Sequence, residues 1–194
     1  STKKAVIVIT SNRGLAGGYN SNVIKLITRD EKFANKEDVV VYAIGKKGKD
    51  GLARAGYKIA ADYSDMVEDP IYIEAMQICK EVLAAFAAGE FGEIYLAYTA
   101  FKNTVVHVPT LMKLLPVAAE DGAEEEVSSA DDKTLMNFEL DETEAIDLII
   151  PKYITSLVFG AMVEAVASEN GARMQAMDSA TSNAEDMISS LSLQ

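Results

Sequence analysis

Long uninterrupted apolar runs, separated by polar segments with helical spacing, organise the first two thirds of this chain. AVIVIT (5–10), VVVYAIG (39–45) and EIYLAYTAF (93–101) lack the alternation of a half-exposed strand. Continuous runs of this length belong to strands covered on both faces, as in a parallel sheet. TVVHVPTLMKLLP (104–116) predicts a fourth strand, placed at a sheet edge because Pro109 cannot donate to a central ladder. Val23, Ile24 and Ile27 at helical spacing predict a helix behind the first strand. KKGKDGLARAGY predicts a turn and a short helix. Asp69-Pro70 is expected to open a further helix, with Asp69 as N-cap and Pro70 at the first position. Its apolar face runs Ile71, Ala75, Cys79, Val82, Phe86, and it ends near Gly89. Strands alternating with helices predict an α/β fold, a mostly parallel sheet with flanking helices.

From Asp141 the period changes. ETEAIDLII is helical up to Pro151, and a second pattern runs from Lys152 to the end, interrupted only by Gly160 and Gly171. Forty-odd helical residues extend on the order of 60 Å, against the roughly 35–40 Å width of a domain of this size. The helix is therefore expected to project beyond the α/β body, dividing the chain into an α/β domain (1–140) and a helical segment (141–194). Ile154, Val158, Ala161, Ala165, Ala172, Ala176 or Met177, Ala180, Ala184, Met187 and Leu191 form a three-four seam, half of a coiled coil. Nothing else in the chain is long enough to cover that seam, so the reading assigns it to a segment outside this sequence or to another subunit. The sequence begins at Ser1, four residues before a strand, and stops at Gln194 within a helical pattern. The expectation is a fragment of a longer protein.

Charge removes several function classes. A net charge of −12 and a pI near 4.5 argue against binding to nucleic acid or anionic lipid, which need clustered Lys and Arg. The single cysteine, Cys79, cannot form an internal disulfide and fits a reducing compartment. The sequence shows no signal-peptide pattern and no run of about 18 uncharged apolar residues. Residues 119–132, AEDGAEEEVSSADD, hold seven acidic residues and read as a solvated loop, since the ligand spacing of a calcium loop is absent.

The first strand runs into SNRGLAGGYNSN, whose glycines invite comparison with a phosphate-binding loop. The spacing Gly14-x-x-Gly17-Gly18 is not G-x-G-x-x-G, and Gly18 is followed by Tyr19-Asn20-Ser21 rather than the Lys-Ser/Thr of a P-loop. The second strand ends Ile44-Gly45-Lys46-Lys47, without the acid that holds a ribose. The favoured reading is a structural turn, with Asn20 or Ser21 capping the next helix. A small nucleotide- or flavin-binding α/β protein with a helical oligomerisation arm stays open as the alternative, and a scaffold dimerising through its long helix as a third. His107, the one histidine, has no Cys or acid beside it and reads as packing or surface. No G-x-S-x-G elbow occurs, and one His with one Cys makes no metal site.

Taken together, ITSNRGLAGGYNSN (9–22), AIGKKGKDGLARAGY (43–57), EIYLAYTAFKNTVVHVPT (93–110) and ASENGARMQAMDSATSNAEDMISSL (167–191) resemble one family, collinearly across almost the whole chain. That family is the gamma subunit, the central rotor stalk, of F-type ATP synthases. The resemblance implies a Rossmann-like α/β body between two long helices that pair as an antiparallel coiled coil. The N-terminal helix and the last part of the C-terminal one lie outside this sequence. It further implies a non-catalytic coupler without cofactor or bound nucleotide, peripheral on the cytoplasmic face of a bacterial plasma membrane. The implied partners are the alpha and beta subunits of the catalytic hexamer, the epsilon subunit and the c ring. Arg173, Met174, Gln175 and Met177 match the block where rotor meets stator. Phe138 and Glu139 match the foot that meets the c ring and epsilon, although Leu140 stands where the family commonly has Pro.

Overall fold

The computed structural model describes residues 1–117 and 142–193, with residues 142–146 described in backbone only. Strands β1 (Lys4–Ile9), β2 (Val39–Ile44), β3 (Lys58–Asp62), β4 (Glu93–Phe101) and β5 (His107–Leu115) form one sheet in the order β3-β2-β1-β4-β5. The first four are parallel, and β5 returns antiparallel along β4. The helices are α1 (Tyr19–Thr28), α2 (Lys46–Arg54), α3 (Tyr72–Ala87) and α4 (Glu142–Ser192).

Each central strand divides its apolar run between two cores. Ala5, Ile7 and Ile9 face a cluster completed by Ile78, Cys79 and Val82 of α3 and by Ile154, Val158, Ala161, Met162 and Ala165 of α4. Val6 and Val8 face the opposite cluster, with Val23 and Ile27 of α1, Leu52 of α2, and Phe33. Side chains alternate across a strand, so a run with no polar position is what two covered faces demand. The expected edge position of Pro109 holds: β5 is the outermost strand, with Pro109 opposite Thr99.

Three expectations are corrected. β3 went unread because KIAAD needs little apolar content at the other sheet edge, where Lys58, Ala60 and Asp62 are exposed. The helix expected from Asp69-Pro70 starts two residues later, with Ile71 as its cap: the Ile71 carbonyl accepts the first helical bonds, from Glu74 and Ala75. Pro151 does not divide the C-terminal region. It sits inside one continuous helix, and the Thr155 hydroxyl donates to its carbonyl at 2.7 Å. By length and composition α4 is also apolar enough to cross a membrane, at a mean hydropathy of 1.4 over its most apolar window. Ile154, Val158, Ala161, Met162 and Ala165 within it are instead buried core residues.

The seam of α4 consequently has two halves. Ile154, Val158, Ala161 and Ala165 are covered by the chain's own β4 and α3, contrary to the expectation that nothing here could cover them. Beyond Ala176 the helix leaves the body, and every side chain from Met177 to Leu193 is exposed. That exposed stretch extends roughly 25 Å. The projection expected from the length of the pattern is present.

Met162 is 2% exposed and Met187 is 67% exposed. Met162→Ala should therefore cost about 2–5 kcal/mol in urea denaturation, whereas Met187→Ala should change stability by less than about 0.5 kcal/mol. Burial pushes the Cys79 thiol up to about 11. Since the thiolate is the reactive form, native protein at pH 8 should react with a thiol reagent roughly a hundredfold more slowly than unfolded protein.

Candidate functional site

In open α/β sheets, ligands lie beyond the carboxyl ends of the strands, where the strand order reverses. Here that point falls between β1 and β4, which lead into loops 10–18 and 102–106. The loop after β1 is closed on its own protein. Thr10 Oγ1 accepts from the Gly48 amide at 2.7 Å, which ties the loop to the first turn of α2. Gly45 has a φ of 122°, and a Cβ there would lie 2.2 Å from the Thr10 carbonyl oxygen. Asn12 accepts from the Lys46 amide at 2.9 Å and donates to the Ser64 carbonyl at 2.8 Å. Thr10 and Asn12 thus tie the loop after β1 to the start of α2 and to Ser64.

The expected cap on α1 is also corrected. The helix begins at Tyr19 after Gly18, with no side-chain cap and no acid in its first turn. Asn20 reaches back instead: its Oδ1 accepts from the Ser11 amide at 2.9 Å and its Nδ2 donates to Ser11 Oγ at 2.8 Å. Ser21 Oγ donates to the Gly18 carbonyl at 3.2 Å. Both side chains therefore shape the loop and leave the helix start uncapped.

Across the same crevice runs α4, held by contacts from α1 and β4. Tyr19 Oη donates to the Ala165 carbonyl at 3.1 Å, and Ser168 Oγ donates to the Thr99 carbonyl at 3.2 Å. Glu164 accepts from the Phe101 amide at 3.3 Å. Burial first, and then the Glu169 carboxylate, push the Tyr19 phenol well above its ordinary range, so it remains a donor. Gly171 lets the β4–β5 hairpin approach, since a Cβ there would lie 2.5 Å from His107 Nε2. His107 stacks on Phe101 with ring centroids 6.0 Å apart, which agrees with a packing role.

At the exit from the body lie the residues singled out by sequence. Arg173 Nη1 donates to Glu169 Oε2 at 2.8 Å, and Nη2 donates to the Gly14 carbonyl at 3.5 Å. The two paired side chains are only 18% and 14% exposed. Gln175 Nε2 donates to the Val105 carbonyl at 3.0 Å. Arg173 and Gln175 thus grip the two loops of the crevice from opposite sides, while Met174 and Met177 point to solvent, 62% and 61% exposed. Phe138, Glu139 and the acidic stretch 119–132 lie outside the described residues. Among the described residues no group of His, Cys, Asp and Glu is arranged to hold a metal.

The family model described as ATP synthase matches residues 1–194. The ATP synthase gamma chain of Lachnoclostridium phytofermentans is 65% identical over all of this chain and 67% of its own length. The chain belongs to the ATP synthase gamma-chain family. A sodium-ion-specific gamma chain from Acetobacterium woodii is 39% identical over 99% of this chain and 67% of its own length. The chain spans about two thirds of the length of these gamma chains. The fold is that of central-stalk chains. A chain in the Tetrahymena thermophila mitochondrial central stalk and c-ring structure superposes with a TM-score of 0.70 at 23% identity, covering 93% of this chain and 77% of that one. One from the Euglena gracilis mitochondrial rotor gives 0.71 at 19% identity, covering 96% and 70%.

Sequence reasoning missed the clamp made by Tyr19, Thr99, Glu164 and Ser168. Part of it carried a signal, because Glu169 and Arg173 stand at the i,i+4 spacing of a helical ion pair. Arg173→Ala leaves Glu169 half-buried without its partner. It should cost about 1–3 kcal/mol in urea denaturation, and Arg173→Lys should recover part of that loss.

Proposed function

We propose that this chain is the body and one long helix of a rotor-stalk subunit that transmits torque and catalyses nothing itself. The observation that carries this reading is the projecting seam: Met177, Ala180, Ala184, Met187 and Leu191 recur at alternating three- and four-residue spacing on a stretch whose side chains are all exposed. That is the heptad pattern of a helix waiting for a partner helix. We assign the partner to the portion of the gamma chain outside this sequence, with which α4 would pair as an antiparallel coiled coil. The coiled coil turns within a hexamer of alternating alpha and beta subunits, forcing the nucleotide sites of the beta subunits through states of different affinity. Of the four residues in the rotor–stator block, Met174 and Met177 present the contact surface. Arg173 and Gln175 set the direction in which the helix leaves the body. Phe138 and Glu139 are proposed to meet the c ring and the epsilon subunit, with the complex peripheral on the cytoplasmic face of a bacterial membrane.

The alternative, a nucleotide- or flavin-binding enzyme, needs the crevice between β1 and β4. That crevice is crossed by α4 and tied down by Tyr19, Ser168 and Glu164.

Ala184 lies in the exposed seam, away from every core residue. In the full-length gamma chain, Ala184→Asp should change the stability of the body by less than about 1 kcal/mol. It should weaken assembly with the alpha–beta hexamer at least tenfold, measured by native gel or ultracentrifugation. Unchanged assembly would remove the seam from the coupling path.

A further inference from the structure

The projecting seam does not run on into the buried stripe of α4. Met177, Ala180, Ala184, Met187 and Leu191 alternate three- and four-residue steps. The same alternation counted back from Met177 reaches Arg173, Asn170, Val166, Val163 and Phe159. The core stripe of the helix is Ile154, Val158, Ala161, Ala165 and Ser168, none of which falls in that register. A heptad seam keeps facing its partner helix only while its register is kept. The in-register positions are left open by the sheet: Val163 is 47% exposed, Asn170 is exposed, and Val166 and Phe159 are half-buried.

Counted further, the register passes Ser156 and arrives at Lys152, where the helix borders an open groove of about 400 Å³. Tyr72, Met76 and Leu83 of α3 line one side of it, and Pro151 and Lys152 of α4 the other. Tyr72 links stripe and groove, since its ring meets that of Phe159 edge to face with centroids 5.6 Å apart. On this side α3 turns apolar side chains outward, Tyr72 at 41% and Met76 at 47% exposed. A contiguous apolar surface of this kind marks an interaction site, and here it is continuous with the coiled-coil seam.

We propose that the helix paired with α4 continues past the exit from the body and lies in the groove between α3 and α4, which makes α3 part of the same interface. This rests on the reading that the remainder of the gamma chain supplies the partner helix. A partner spanning Lys152 to Leu191 needs about forty residues. The third of the Lachnoclostridium phytofermentans gamma chain beyond the 196 matched residues is about half as long as that match, which is room enough. The apolar face of the partner covers Met177 and Ala184 on the arm, Val163 and Phe159 along the body, and Met76 in the groove. The partner helix is thereby fastened to the body as well as to the arm.

Met76→Cys is introduced into this chain and into the full-length gamma chain, and its reaction with a maleimide is timed. It should react at least about tenfold more slowly in the full-length chain. Lys25→Cys, exposed on α1 at the opposite face of the sheet, should react equally in both. Ala184→Cys, in the exposed seam, tests the coiled coil separately. Equal rates for Met76→Cys in the two chains overturn the proposal. If Ala184→Cys is still slowed, the paired arm stands without the groove; if it is not, the coiled-coil reading falls as well. Slow reaction of Met76→Cys in both chains also overturns the proposal, because this chain would then cover the groove itself. Cys79 is buried and reacts slowly only while the chain is folded, so it identifies a variant that does not fold. Lys80→Cys, at an exposed position of the same groove, then takes the place of Met76→Cys.

Discussion

Packing of the first half of α4 across the sheet is the constraint on which the rest of this molecule depends. Ile154, Val158, Ala161, Met162 and Ala165 complete the core that Ala5, Ile7, Ile9, Leu96 and Tyr98 begin, on the same face as α3. A two-faced sheet of parallel strands cannot leave one face to water, and here α4 is the element that covers it beside α3. The helix therefore serves two purposes with one continuous backbone. Its first half is structural core, and its second half is an exposed seam. Rigidity passes from one to the other because the hydrogen-bond ladder of a helix has no joint.

The same placement explains how the crevice of a Rossmann-like body comes to hold a helix. The switch-point crevice exists, since the strand order demands it. What crosses it is α4, pinned by Tyr19, Ser168 and Glu164. The glycines after β1 are retained in a loop whose polar groups turn inward, on to Thr10, Asn12 and Asn20. A glycine-rich turn at the end of β1 is thus compatible with two different occupants, and the surrounding side chains decide which.

How far the sequence could be read depended on whether a feature was local. β1, β2 and β4 were visible because two-sided burial leaves each run almost wholly apolar. Pro109 marked the edge strand through its missing amide. The projection of α4 followed from the length of its pattern alone. β3 was invisible because an edge strand with three exposed positions carries almost no apolar signal. Pro151 was misread because the cost of one lost helical bond can be offset by core contacts on either side, which no local rule records. At the site, the pairing of Glu169 with Arg173 was legible as a spacing. The bond from Tyr19 to Ala165 was not, because it joins positions 146 residues apart. Arg173 and Gln175 stood out by resemblance, but their attachment to Gly14 and Val105 required the fold.

The exposed stretch of α4 behaves mechanically as a lever whose fulcrum is the exit from the body. Over the roughly 25 Å from Met177 to Leu193, each degree of tilt at the fulcrum displaces the tip by about 0.4 Å. Errors of a few degrees would misalign whole side chains at the far end, where close packing tolerates less than the width of a methyl group. Aiming is thus set where the leverage is greatest, by the carbonyls of Gly14, Val105 and Ala165 that receive Arg173, Gln175 and Tyr19. The seam of the arm is exposed, but its alignment is decided by backbone atoms that never leave the body.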